Sequence, residues 1–126
     1  MMKMFMIQTR RLLTVAALAV LAGCGSKSTS AKVVAEQLQQ SYEKTDAPIK
    51  QEVAQASAAL QAGQYVQAIS TMDRVAQARP VDEAQKRAVD LLIQQTQQAV
   101  RQNPKLNTPE LYRATTKLIE RVHGEN

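Results

Sequence analysis

Aromatic side chains are scarce: no Trp, one Phe and three Tyr make up 3% of 126 residues. A core built from this chain must therefore be aliphatic. Glycine and proline number four each, too few for a sandwich or barrel, which needs turn residues about every eight to twelve positions. A single cysteine excludes an internal disulfide, and one cysteine with one histidine leaves too few soft ligands for a zinc or redox site. What is present in quantity is Ala and Gln, both helix formers without β-branching. Hydrophobic residues at 44% and charged residues at 21% are ordinary for a globular chain of one domain. These proportions point to an all-α fold.

Acids are missing from the opening of the chain as well. Residues 1–23 carry Lys3, Arg10 and Arg11 and no Asp or Glu, and the apolar run Leu12 to Leu21 comes after the basic group. Basic, then apolar, then small residues is the order of a secretory signal. As a helix, Leu12 to Ala22 would span roughly 16 Å, about half of a ~30 Å hydrocarbon core, so the segment is too short for a comfortable membrane span. The positive flank stays in the cytoplasm and the chain beyond the apolar run is exported.

The apolar run ends in Leu21-Ala22-Gly23-Cys24. This tetrapeptide resembles the lipobox of bacterial lipoproteins at all four positions. The resemblance implies that Leu21, Ala22 and Gly23 are read by a dedicated signal peptidase, that Cys24 receives diacylglycerol on its sulfur, and that a further chain is added to the new amino group. The chemistry suits the residue types. Small side chains let an extended segment enter a peptidase groove, and only a thiol supplies the nucleophilic sulfur for a thioether. One acyl chain holds marginally, whereas two or three hold stably. Gly25 stands where enterobacterial inner-membrane lipoproteins carry Asp, so the resemblance implies the outer membrane, facing the periplasm. Beyond the acyl groups no cofactor is expected.

The expected organisation is a signal peptide over 1–23, the lipidated cysteine and a flexible tether over 24–30, and a helical domain over 31–126. Removing the signal leaves 103 residues with 13 basic and 11 acidic side chains, so the formal charge falls from +5 to +2. With neither a basic stripe interleaved with aromatics nor a reader motif, nucleic acid is excluded as an expected partner. Gly25 to Ser30 is small and polar, with a reach of about 13 Å for six such residues. The body is held close to the bilayer, and Lys27 and Lys32 are either headgroup contacts or solvated charges.

Five helices can be read from Ala31 onward as a small bundle of helical hairpins. Val34, Leu38 and Tyr42 recur at helical spacing in the first, expected over 31–44. Thr45-Asp46-Ala47-Pro48 breaks it, and Ile49, Val53, Ala56 and Leu60 mark the second. Gly63 ends that helix, and Tyr65, Ala68, Ile69, Met72, Val75 and Ala76 mark the third. The fourth starts near Asp82, boxed by Gln85, with Ala84, Ala88, Leu91, Leu92 and Ala99 beside Val89, Ile93 and Val100. Asn103-Pro104 closes it, and Thr108-Pro109-Glu110 opens a fifth with Leu111, Leu118 and Val122. Short connections favour antiparallel neighbours, and alanines at facing positions permit close approach.

Gly63, Tyr65, Ala68, Met72, Val75 and Pro80 fall at spacings that resemble the second half of a tetratricopeptide repeat, over residues 63–80. Val75 departs from the usual Ala, the preceding helix has Gln55 and Ala56 in place of the usual pair, and no second copy is present. Repeat arrays need about three units. Two readings stay open: an ordinary αα-hairpin with a Gly turn, or a short protein-docking surface using Tyr65 and Met72.

No catalytic constellation is visible. Ser57, Ser70 and Asp73 lie inside helices without an elbow motif or a neighbouring histidine, and His123 sits at a helix end as a surface cation. Asp82, Glu83 and Asp90 read as caps and solvated charges, and the Gln run 94, 95, 97, 98 as a solvated face. The chain is therefore expected to be non-enzymatic: a lipid-anchored envelope lipoprotein that meets membrane lipid through acylated Cys24 and docks an envelope protein. The alternative is a small membrane-active or cell-wall-contacting lipoprotein.

Overall fold

Side-chain caps and turn residues set where the helices begin. The computed structural model describes residues 30–124, so the expectations for the signal segment, for Leu21, Ala22 and Gly23, and for Cys24 lie outside the described residues. Helix α1, Ala31–Ser41, starts where the Ser30 hydroxyl accepts from the Val33 amide. Helix α2, Ala47–Gln61, has Pro48 in its first turn, where the missing N–H leaves no bond unmade. It closes in a double cap: the Gln64 amide donates to Ala59 O at 2.8 Å and the Gly63 amide to Leu60 O at 3.0 Å. Gly63 takes φ +79° there, in the left-handed region that a side chain disfavours.

Helix α3 is Tyr65–Ala78 and helix α4 is Glu83–Gln102. The start of α4 is a full capping box. Asp82 Oδ1 accepts from the Gln85 amide at 2.8 Å, and Gln85 Oε1 accepts from the Asp82 amide at 3.0 Å. A single 3₁₀ turn, Pro104–Leu106, leads to helix α5, Pro109–His123, whose first amides meet the Thr108 hydroxyl at Leu111 N, 3.1 Å away. The described residues thus form an all-α bundle of five helices.

Helices α1, α2 and α3 make two consecutive antiparallel hairpins; α4 packs on α1, α5 packs on α3, and α4 meets α3 and α5 more lightly. Alanines 35, 56, 59 and 68 lie buried between the hairpin helices, and Leu38, Leu60, Ile69, Met72, Leu92 and Leu118 fill the aliphatic interior. Ser57 ties α2 to α1 by donating to Ala35 O at 3.2 Å. Gln85 ties the start of α4 to the end of α1 through a bond from Nε2 to Ser41 O at 3.2 Å.

This order gives the bundle two distinct ends. At one, the near end, lie Ser30, the Gly63 turn, the end of α4, the 3₁₀ turn and the start of α5. At the other, the far end, lie the α1–α2 and α3–α4 connections, and α5 ends short of it, its last residue paired two turns into α4. An ion pair from Arg79 to Asp46 joins the two connections at that far end.

Three details differ from the periodicity. Helix α1 stops at Ser41 rather than Lys44, because Ser41 Oγ donates to Leu38 O and Thr45 Oγ1 donates to Tyr42 O, local bonds that hold 42–45 in a turn. Ala84 is exposed, since the box at Asp82 fixes the phase of α4 and turns that residue outward. The 3₁₀ turn carries only three residues and has no periodic signal of its own.

Candidate functional site

Helix α5 carries two surfaces. Leu111, Leu118 and Val122 face the core, whereas Arg113, Lys117 and Glu120 recur at four and three residues along the opposite, exposed side. Where that exposed side meets α3, a polar groove of about 640 Å³ opens, lined by Ser70, Asp73, Arg74, Arg113, Lys117 and Glu120. Between α5 and the last turns of α4 is a smaller apolar cleft of about 210 Å³, lined by Val100, Leu111, Thr115 and Ile119 among others. Tyr112, 67% exposed, stands at the rim of both.

The floor of the groove is built on one buried carboxylate. Asp73 Oδ1 accepts from Arg121 Nε at 2.7 Å, an interhelical pair in which the acid is nearly closed off and the guanidinium is partly exposed. Arg74 is held by longer contacts of 3.4 Å to Glu52 Oε1 and Thr71 Oγ1. Arg113 and Lys117 make no ion pair among the described residues. The groove therefore offers cations and hydroxyls on rigid helices, suited to hydrogen-bonding an incoming polar chain.

The residues singled out from the sequence do not converge there. Met72 has no exposed surface and lies in the aliphatic interior, as its place on the apolar stripe of α3 demands. Tyr65 is half-buried and packs against the core at the start of α3. His123 Nε2 lies 2.7 Å from Asp90 Oδ1, on the other side of α5. Asp82 serves as a cap. Conversely, nothing in the helical spacing singles out Tyr112. It comes directly after Leu111, one hundred degrees around the helix from the buried stripe, and an aromatic placed off the stripe is the only signal the sequence holds for it.

One buried polar atom is unpaired. The Tyr42 hydroxyl is the sole buried side-chain polar atom without a partner among the described residues, and the phenol is pushed up to about 12, first by burial and then by the charge of Asp82. No group of three His, Cys, Asp or Glu among the described residues is placed to hold a metal. No helix of the described residues is long and apolar enough to cross a membrane. Comparison with family models, with curated proteins and with solved structures finds no match to this chain.

Proposed function

We propose that this chain is an exported lipoprotein, anchored by acyl groups on Cys24, whose helical body acts without catalysis as a docking unit on the periplasmic face of the outer membrane. One observation carries the reading: three basic residues without an acid, an apolar run, and then Leu21-Ala22-Gly23-Cys24 in unbroken order. Six residues from Gly25 to Ser30 separate the lipidated cysteine from α1, so an anchored body works within a short distance of the bilayer. The groove between α3 and α5 supports the docking part of the reading, since Arg113 and Lys117 stand exposed beside it on a rigid helix.

The test is a Cys24→Ser substitution in producing cells. The native chain is expected in the detergent phase of a cloud-point extraction and the variant in the aqueous phase at a different size. An identical partition for both contradicts the anchor. For docking, a photo-cross-linking residue at Lys117 is expected to give one discrete protein adduct, and the same residue at Gln55, exposed on α2, to give none.

A further inference from the structure

The near end of the bundle differs from the far end in charge and in apolar exposure. Within the terminal helical turns and connections of the near end the charged residues are Lys32, Arg101, Lys105 and Glu110. None of the three cations makes an ion pair among the described residues, and all three are exposed. The corresponding turns of the far end hold Glu43, Asp46, Asp82 and Glu83 against Lys44, Lys50, Arg79 and Lys86. Acids match bases there, and Arg79 and Lys86 are engaged with Asp46 and Glu83.

Apolar exposure obeys the same division. The exposed large apolar side chains among the described residues are Val33, Val66 and Tyr112. They occupy the first turns of α1, α3 and α5, the three helices that begin at the near end. Helical side chains lean toward the helix N-terminus, so all three lean outward from that end. Free cations mixed with small apolar groups and a tyrosine match a lipid headgroup boundary, where phosphates meet the cations and the apolar tips enter the acyl margin.

From this we infer that the near end is a membrane-resting surface, seated on an anionic phospholipid leaflet through Lys32, Arg101 and Lys105 with Val33, Val66 and Tyr112 at the headgroup boundary. The inference rests on the anchor proposed above and adds an orientation to it. The tether leaves from Ser30, at this same end, and Lys27 lies three residues before it in sequence. A body tied there has its basic end held against the leaflet, and its α3–α5 groove runs from Tyr112 at that end away from the surface toward Glu120. Protein docking at the near end is the competing occupant, and it does not depend on lipid charge.

The experiment uses the full acylated protein on vesicles of phosphatidylethanolamine with phosphatidylglycerol, and on neutral phosphatidylcholine vesicles. A water-soluble amine reagent is followed at each lysine by mass spectrometry. On the anionic vesicles Lys32 and Lys105 are expected to react at least about fivefold more slowly than on neutral ones, while Lys44, Lys50 and Lys86 keep their rates. Salt at about 1 M, where the screening length falls to ~3 Å, is expected to remove most of the difference. Arg101→Glu with Lys105→Glu, both at exposed positions, is expected to return Lys32 to its neutral-vesicle rate. Equal rates at both ends in protein that sediments with the vesicles overturn the orientation while leaving the anchor standing. Protein that stays in the supernatant with both vesicle types overturns the anchor and the orientation together.

Discussion

At the scale of single residues, the two least ordinary side chains are a phenol without a partner and a carboxylate with one. Tyr42 buries a hydroxyl that finds no partner among the described residues, and its pKa moves from 10.0 to about 12. Below pH 10 the phenol is protonated in both the folded and unfolded chain and contributes no pH dependence. Between 10 and 12 the unfolded chain gives up the proton first, so stability falls as pH rises, by about 2–3 kcal/mol in all. Tyr42→Phe is expected to remove this loss and to be neutral or stabilising by about 1 kcal/mol at pH 8, read from urea melts of both proteins at pH 8 and pH 11. The opposite case is Asp73, buried against Arg121 at 2.7 Å. Arg121→Met leaves the acid closed off without its cation and is expected to cost about 1–3 kcal/mol, discounted for the partial exposure of the guanidinium. Asp73→Asn with Arg121→Met should restore part of that loss in the same melts, since the uncompensated charge is then gone.

At the scale of the element, the turn between α2 and α3 isolates a backbone effect. A Cβ built on Gly63 meets nothing within 4 Å, so a substitution there is opposed by the φ of +79° alone. Gly63→Ala is expected to cost about 1–2 kcal/mol without changing the helical circular dichroism of the folded state; a change below about 0.3 kcal/mol would contradict the cap reading. Gly63, Asp82 with Gln85, and Thr108 with Pro109 were all legible in the sequence, because caps are local and the residue types that make them are few. The apolar stripes were legible too, with Val34, Leu38, Val53, Leu60, Ile69, Leu92, Leu118 and others buried as their spacing demands. What escaped was non-local or too short. The contact of Gln85 with Ser41 O spans two hairpins, and the 3₁₀ turn has no period. The α3–α5 groove is non-local in the same way: its cations come from helices that the sequence orders but does not pair.

At the scale of the whole molecule, an anchor, a tether and a charge-asymmetric bundle make one mechanical proposal. In that proposal lipid holds the chain, six residues limit its excursion, and the uneven ends choose which way up the body stands. Stability enters this picture as a constraint, because a helical body over residues 30–124 with almost no aromatics buries modest apolar area. Losses such as those at Gly63 or Arg121 are therefore expected to lower the amount of protein recovered from cells as well as its melting temperature. The anchor itself is tested most directly by the intact mass of the protein extracted from membranes with mild detergent. An acylated lipoprotein gives a chain that begins at residue 24 and carries the added mass of a diacylglycerol and a further acyl chain, and that is the expected result. A full-length chain of unmodified mass, or a chain cut elsewhere with no acyl mass, would contradict the anchor.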